Sequence, residues 1–303
     1  MSGPILVTGA TGQVGSALTR LAAGRNLVVL DRSGLDLAHP ETIVAALARC
    51  QPVLVINAAA YTAVDRAEAE PELAQSVNAS GVAALAQACA ERSIPCFHLS
   101  TDYVFDGSGE QPWAESDTPA PLGVYGASKL AGEQALTAIL PQHLILRVSW
   151  VFGQQGHNFV RTMLRLAAER DELRVVADQW GTPTSAESIA RTLLTLADRA
   201  LAAPDTFPWG LYHYASQHVT SWHGFAEVIV QDAYEHGLLS RIPPVRPIST
   251  ADFPTPARRP ANSRLDCRHF CATFGLPQPD WRADLQASLH AWQTECSADS
   301  VHL

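Results

Sequence analysis

The chain has 303 residues, 47% hydrophobic and 17% charged, with a formal net charge of −9. That material fits one large α/β domain with a lesser lobe, and it excludes wholesale disorder and a whole-protein basic footprint for nucleic acid. No apolar run reaches the length of a membrane span, Met1-Ser2-Gly3-Pro4-Ile5 lacks the pattern of a secretory leader, and six scattered cysteines read as reduced thiols, so a cytoplasmic protein without membrane partners is expected.

In chain order, Ile5-Leu6-Val7 predicts a short strand closed by glycines, and Val14 to Ala23 a helix. Leu27 to Leu30 is a second strand ending at Asp31, and Pro40 to Cys50 has helical spacing. Val53 to Ile56 is a third strand ending at Asn57, followed by an alanine-rich helix from Glu72 to Arg92. Cys96 to Leu99 is a fourth strand ending at Ser100, Tyr125 to Leu140 a helix, and Leu144 to Val148 a fifth strand. Short apolar runs alternating with helices imply a parallel sheet covered on both faces, a doubly wound (Rossmann) α/β fold. Beyond Val151 the alternation loosens. Helices are expected at Asn158 to Arg170 and Ser185 to Ala203, with a strand at Leu173 to Val176. Prolines then divide the remainder into short pieces. The expected division is 1–150 plus about 185–215 for a dinucleotide-binding domain, and 151–184 with 216–303 for an interleaved substrate lobe.

Gly9-Ala-Thr-Gly12-Gln13-Val14-Gly15 follows the first strand and opens the first helix. Glycines allow a sharp turn and close approach to a pyrophosphate, while the helix start offers unpaired N–H groups. Asp31 ends the second strand at the spacing of a ribose-binding carboxylate, which favours NADH, whereas Arg32 suits the 2′-phosphate of NADPH. Asp36 fits either an adenine edge or a turn cap.

Ser100-Thr101-Asp102 ends the fourth strand, where ligands of parallel sheets bind. Tyr125 and Lys129 lie one helical turn apart on one face. A lysine ammonium about 4 Å from a phenol in a medium of dielectric about 20 favours tyrosinate by roughly 4 kcal/mol, enough to bring a group near 10 toward neutrality. Arg258, Arg259 and Arg264 supply guanidiniums for a diphosphate or ion pairs with Asp252 and Asp266. Trp180 and Phe159 fit either ligand stacking or core packing. Cys267-Arg-His-Phe-Cys271 matches no common zinc spacing.

Thr8-Gly9-x-x-Gly12-x-x-Gly15, Asn57-Ala-Ala-Ala60, Ser100-Thr101 and Tyr125-x-x-x-Lys129 resemble the extended short-chain dehydrogenase/reductase superfamily. Ala67-Glu-Ala-Glu-Pro71, Ser149-Trp150-Val151, Gln179-Trp-Gly-Thr-Pro-Thr184 and Arg259-Pro-Ala-Asn-Ser-Arg-Leu265 narrow the resemblance to the dTDP-4-dehydrorhamnose reductase family, over nearly the whole chain. The resemblance implies cofactor contacts from Gly9, Gly12, Gln13, Val14, Gly15, Asp31, Asp36, Leu37, Ala60, Tyr61 and Thr62, with Tyr125 and Lys129 reaching the nicotinamide end. It implies Tyr125 as proton donor, Lys129 as its partner and Thr101 at the C4 oxygen of dTDP-4-dehydro-L-rhamnose. Asp102 and Trp150 would face the sugar, and Arg259 would join the substrate set. Related 4,6-dehydratases carry Thr-Asp-Glu after the fourth strand. Tyr103 replaces that glutamate, which argues against elimination.

Some members of the family hold magnesium at a glutamate-rich dimer interface. Ser16-Ala17-Leu18 lacks the glutamate of that first helix, and Glu187 alone does not make an octahedral site. No metal is expected, and the chain is read as a monomer or weak homodimer. Two alternatives are a reductase of another 4-keto-6-deoxy sugar nucleotide and a non-catalytic regulatory subunit of methionine adenosyltransferase, which resembles the same family. The intact Thr101, Tyr125 and Lys129 favour an enzyme.

Overall fold

The computed structural model describes residues 3–22 and 24–299, with side chains described through Thr294. Ala23, which ends the expected first helix, and the Cys296 side chain lie outside the described residues, as do Met1 and Ser2. The first half runs β1 (Ile5–Thr8), α1 (Gln13–Arg20), β2 (Leu27–Leu30), α2 (Pro40–Cys50), β3 (Leu54–Asn57), α3 (Val64–Ala67), α4 (Pro71–Gln75), α5 (Gly81–Ala90), β4 (Cys96–Thr101), α6 (Val124–Ile139) and β5 (His143–Val148). The second half runs β6 (Val151–Phe152), α7 (Phe159–Glu169), β7 (Leu173–Val176), β8 (Trp180–Gly181), β9 (Thr184–Ser185), α8 (Ala186–Ala202), β10 (Gly210–His213), β11 (Thr220–Ser221), α9 (Trp222–Glu235), β12 (Val245–Ile248), α10 (Arg268–Phe274) and α11 (Trp281–Asp299).

The central sheet has six strands in the order β10-β5-β4-β3-β1-β2, all parallel. Successive strand side chains point to opposite faces, and each face meets a helical layer. Ile5, Val7, Leu54 and Ile56 pack with Val14 and Leu18 of α1 and Ile189 and Leu193 of α8. Leu6 and Val55 pack with Ile43 and Leu47 of α2 and Leu85 of α5. This double burial explains why the strands read as unbroken apolar runs. The doubly wound α/β architecture is as expected.

Two features depart from the sequence reading. The expected single helix at 72–92 is interrupted by a π-helical turn, Ser76–Ser80, between α4 and α5. A sixth strand, β10, pairs with β5; its Gly-Leu-Tyr-His sequence carries no β-branched residue to mark it.

Outside the sheet, α7, α9 and α11 enclose another core of Phe152, Met163, Phe225, Ile229, Trp281 and Leu285. Three two-stranded ladders join this region: β7 with β12, β8 with β11, and β6 with β9. Ser185 caps α8 as expected, its hydroxyl accepting from the Ser188 N–H at 3.0 Å.

Candidate active site

The sheet order reverses between β1 and β3, so their carboxyl ends open a crevice of the kind that binds ligands. Here Gly9 turns the chain with φ +78°. A Cβ at Gly15 would overlap the Gly9 carbonyl oxygen, so only glycine lets α1 start so close to the loop. Gly12 caps α1 without a side-chain hydrogen bond. The first N–H groups of the helix therefore face outward without a side-chain acceptor, which fits a pyrophosphate. Gln13 donates from Nε2 to the Val151 carbonyl at 3.3 Å, joining this loop to the second half of the chain. The Val14 side chain is buried in the core.

Asp31 closes its own turn. Its Oδ1 accepts from the Ser33 N–H at 2.9 Å, the Ser33 hydroxyl at 2.6 Å and the Gly34 N–H at 3.2 Å, and these bonds hold its carboxyl below the usual range. Asp36 likewise caps a turn, accepting from the Ala38 N–H at 3.0 Å. The Leu37 side chain is buried, which leaves its backbone for any ligand contact. Ala60, Tyr61 and Thr62 follow β3, with Tyr61 held at both backbone groups by Asn78: its N–H donates to Oδ1 at 2.8 Å and its carbonyl accepts from Nδ2 at 3.0 Å. Asn78 sits in the π-helical turn and also donates to the Ser128 hydroxyl at 3.1 Å, between Tyr125 and Lys129. The sequence reading missed Asn78; its signal was one amide inside an alanine-rich apolar helix.

Ladder register carries Thr8, Asn57 and His98 side by side across β1, β3 and β4. Thr8 donates to Asn57 Oδ1 at 2.6 Å, Asn57 Nδ2 meets His98 Nδ1 at 2.9 Å, and His98 Nε2 lies 3.3 Å from Lys129 Nζ. Lys129 also donates to the Leu99 carbonyl at 2.6 Å. All four side chains are buried. Burial lowers the Lys129 ammonium to about 8, against the attraction of Glu133, and drives His98 well below its usual value.

This corrects one expectation. Lys129 is engaged by β4, and it does not bring Tyr125 toward neutrality. Burial pushes the Tyr125 phenol up to about 12, partly opposed by a hydrogen bond with Thr101. Spacing places Tyr125 and Lys129 on one helical face, but the lysine's four-carbon stem turns inward to the Leu99 carbonyl and the His98 ring.

Thr101 ends β4 and touches three partners. Its hydroxyl donates to Asp102 Oδ1 at 3.1 Å, accepts from the Tyr103 N–H at 3.2 Å and hydrogen-bonds with Tyr125. Asp102 is buried, and among the described residues nothing donates a hydrogen bond to its Oδ2. Burial lifts this carboxyl to about 6 although Ser263 and Thr101 oppose the shift. Tyr103 stands edge-on to Tyr125 at 5.5 Å.

Trp150 lies just past the end of β5 with φ +47°. A bulky residue in the left-handed region is strained, and such strain gathers at functional sites. Its ring stacks on Trp222 at 3.6 Å and lies against Gly181, where a Cβ would stand 2.5 Å from it. Phe159 packs on Trp222 and Phe225 in the core, while Trp180 is 48% exposed. The sequence reading did not single out Trp222, and it held Gly181 only as part of the Gln179–Thr184 segment, with no role assigned.

The three arginines differ. Arg259 is paired with Asp65 at 2.7 Å and also bonds Thr255, tying the 255–265 segment to the loop after β3. Arg264 bonds Asn262 at 2.7 Å and the Glu110 carbonyl. Arg258 is exposed. Asp252 and Asp266, the partners suggested by sequence proximity, bind elsewhere: Asp252 to Ser249 and Asp266 to Arg268. Glu187 carries Arg20 at 2.6 Å and the Gln154 N–H at 3.2 Å. Among the described residues no group of three or more His, Cys, Asp or Glu side chains is placed to hold a metal.

Residues 3–294 match the family model described as the RmlD substrate binding domain. The chain is 44% identical over 291 residues to the dTDP-4-dehydrorhamnose reductase of Escherichia coli, covering 94% of this chain and 97% of that protein. It is 46% identical over 284 residues to the Burkholderia thailandensis protein of the same name, covering 92% and 95%. Its fold matches the Bacillus anthracis dTDP-4-dehydrorhamnose reductase solved in complex with NADP, with TM-score 0.86, 34% identity and coverage of 95% and 98%. The Clostridium acetobutylicum enzyme gives TM-score 0.88 at 35% identity, covering 96% and 99%. With a family model matched over nearly the whole chain and relatives of this identity and coverage, the chain belongs to the dTDP-4-dehydrorhamnose reductase family.

Proposed function

We propose that this protein reduces the C4 keto group of dTDP-4-dehydro-L-rhamnose to the alcohol of dTDP-L-rhamnose, using NADPH in preference to NADH. The observation that carries the reading is the hydrogen bond between Thr101, at the end of β4, and the Tyr125 phenol, whose burial favours the protonated form. Bound in the crevice, the reduced nicotinamide supplies a hydride to C4. Thr101 and Tyr125 direct hydroxyls at the oxygen where charge develops. Tyr125 keeps its proton across the physiological range, which is the state a donor needs, and an alkoxide is a much stronger base than the phenolate left behind. Lys129 braces the nicotinamide ribose, Asp102 orients the sugar hydroxyls, and Trp150 forms an apolar wall.

The cofactor preference follows from Asp31 and Arg32. Asp31 is committed to its own turn, whereas exposed Arg32 makes no hydrogen bond or ion pair among the described residues. A guanidinium suits a 2′-phosphate. We assign 1–150 with about 185–215 to the dinucleotide and 151–184 with 216–303 to the nucleotide sugar, with exposed Arg258 the arginine freest to meet the diphosphate and Arg259 fixing the segment that presents it. We place the reaction in the cytoplasm, as free thiols at Cys50, Cys89, Cys96, Cys267 and Cys271 suit a reducing compartment.

The test is oxidation of NADPH and of NADH with freshly generated dTDP-4-dehydro-L-rhamnose, followed by loss of nicotinamide absorbance. Faster NADPH oxidation yielding dTDP-L-rhamnose is expected, and Tyr125→Phe should lose about 10²–10⁴ in rate while still binding cofactor. Wild-type turnover in that variant would remove Tyr125 from the role. Tight cofactor binding without oxidation would point to another 4-keto sugar or to a regulatory subunit.

A further inference from the structure

Asp65, Glu68 and Glu70 leave one short segment in three directions. The segment is anchored by Ala67 of α3, which is fully buried. Asp65 reaches the 255–265 segment: its Oδ2 accepts from Arg259 at 2.7 Å, and its Oδ1 accepts from Arg259 at 3.0 Å and from the Ala257 N–H at 3.2 Å. Glu68 reaches the helix of Tyr125 and Lys129, its Oε1 accepting from the Val124 N–H at 2.8 Å. Glu70 turns back to the loop after β3. Its Oε2 accepts from the Tyr61 hydroxyl at 2.7 Å, while its Oε1 accepts from Arg66 at 2.8 Å. The bonds from Arg259 hold the Asp65 carboxyl below its usual range, and those from Tyr61 and Arg66 do the same for Glu70.

The Glu68 arm supplies a missing cap. Gly123, at the N-cap of α6, has no side chain to offer, and the first turn of α6 holds no acidic residue. The first N–H groups of a helix need outside acceptors, and a carboxylate there also meets the positive end of the helix dipole. Gly123 leaves the room for it: a Cβ would stand 2.5 Å from Glu68 Oε1. Gly126 in turn lies against the Tyr103 carbonyl, where a Cβ would stand 2.1 Å from the oxygen. The start of α6 is seated from two sides, with Tyr125 between the two glycines.

We infer that Asp65, Glu68 and Glu70 form a three-armed bracket that sets the 255–265 segment, the helix of Tyr125 and the Ala60–Thr62 loop relative to one another. All three are positioning residues, and the roles of the parts they hold rest on the reductase reading above. Glu68 is exposed, and the Asp65 and Glu70 side chains keep 41% and 30% of their surface. Bonds this wet add little to folding. What they fix is direction, because an arginine fork, a backbone N–H and a phenol each donate to a carboxylate within a narrow geometry. Each arm therefore governs a different step: Asp65 the hold on the nucleotide, Glu70 the hold on the dinucleotide, and Glu68 the placing of the proton donor.

The test reads the arms separately in the full-length enzyme. Glu68→Ala is expected to lower kcat for NADPH oxidation about fivefold to tenfold, the worth of one hydrogen bond, with both KM values little changed. Glu68→Gln, whose amide oxygen still accepts from Val124, is expected to keep the wild-type kcat. In calorimetric titrations, Glu70→Ala is expected to weaken NADPH by a similar factor and to leave dTDP unchanged. Asp65→Ala is expected to weaken dTDP and to leave NADPH unchanged; should it fail to fold, Asp65→Asn, which keeps one acceptor oxygen, carries that arm. Thermal midpoints are expected to move little in all of them. One common loss in every constant, tracking a lowered thermal midpoint, overturns the inference. So does an unchanged kcat in Glu68→Ala, an equal loss in Glu68→Gln, or a ligand affinity that responds to the wrong variant or to neither. The titrations need no turnover. A wild type that binds both ligands without oxidation fails the reductase reading, while the bracket stands or falls on Glu70→Ala and Asp65→Ala.

Discussion

Across β1, β3 and β4, the side chains that meet are Thr8, Asn57 and His98, with Lys129 of α6 beyond them, and ladder register places the first three. Around Trp150, the rings of Trp222 and Phe159 gather over the backbone of Gly181, and these residues come from a two-residue strand and helix starts. The first region is polar, buried and titratable. The second is aromatic, stacked and held by a strained backbone. Regular hydrogen-bonded ladders can hold donors and acceptors in fixed order at low dielectric, where a misplaced proton is expensive. Stacked rings need only shape and area, so loops suffice to deliver them.

Breaking the buried ion pair beside the first region, between β5 and α6, should cost most. Arg147 and Glu133 are each 3% exposed and joined at 2.9 and 2.6 Å. Arg147 also lies over the Phe105 ring at 5.1 Å and near His213 Nε2 at 3.4 Å. Arg147→Met leaves Glu133 buried and uncompensated, and a loss of about 3–5 kcal/mol is expected in denaturant unfolding. A loss under about 1 kcal/mol would mean that water reaches the pair.

Asp102 sharpens the comparison through pH. Its carboxyl is raised from 3.8 to about 6 by burial, so the folded state binds the proton more tightly than the unfolded state. Its stabilising contribution is complete below about 4 and is lost as pH rises through about 6. At pH 8 the wild type therefore carries a buried charge at a cost. Asp102→Asn is expected to be more stable than wild type by about 1–3 kcal/mol at pH 8, with the gap closing at pH 4, while sugar turnover falls. Thermal unfolding at the two pH values checks this; an equal gap at both would deny the titration.

In the aromatic region the expected effect on stability is similar in size to that at Asp102, and it is read most clearly in sugar binding. Gly181→Ala sets a methyl group against the Trp150 ring and should cost about 1–3 kcal/mol if absorbed as strain. The KM for the nucleotide sugar is expected to rise about tenfold, with the KM for NADPH unchanged. An unmoved sugar KM would place the Trp150–Trp222 stack away from the sugar.

The same contrast governs what could be read from sequence. The first five strands of the doubly wound sheet were legible because they are unbroken apolar runs between helical layers, and several helices open on a glycine, proline or cap. The glycine loop was legible because its residues act through local backbone geometry. Arg259 was not, because its partner Asp65 lies 194 positions away. Nor was the direction of Lys129: helical spacing fixes the face a side chain leaves from, not the acceptors that its flexible stem reaches. His98 stood in plain view as an imidazole inside the apolar β4 strand, but its meaning depends on the neighbours that register supplies.

The π-helical turn at Ser76–Ser80 makes chain length itself a constraint. One residue in a helix advances the surface by about 100°. The additional residue of a π turn therefore rotates everything beyond it, so that Asn78 points to Tyr61 and Ser128 while the next turn still presents Gly81 and Val82 to the core. Deleting a single residue there would leave the helix hydrogen-bonded and its composition nearly intact, yet would swing one of the two faces out of phase. Between α4 and α5, a count of residues carries information that no side chain does.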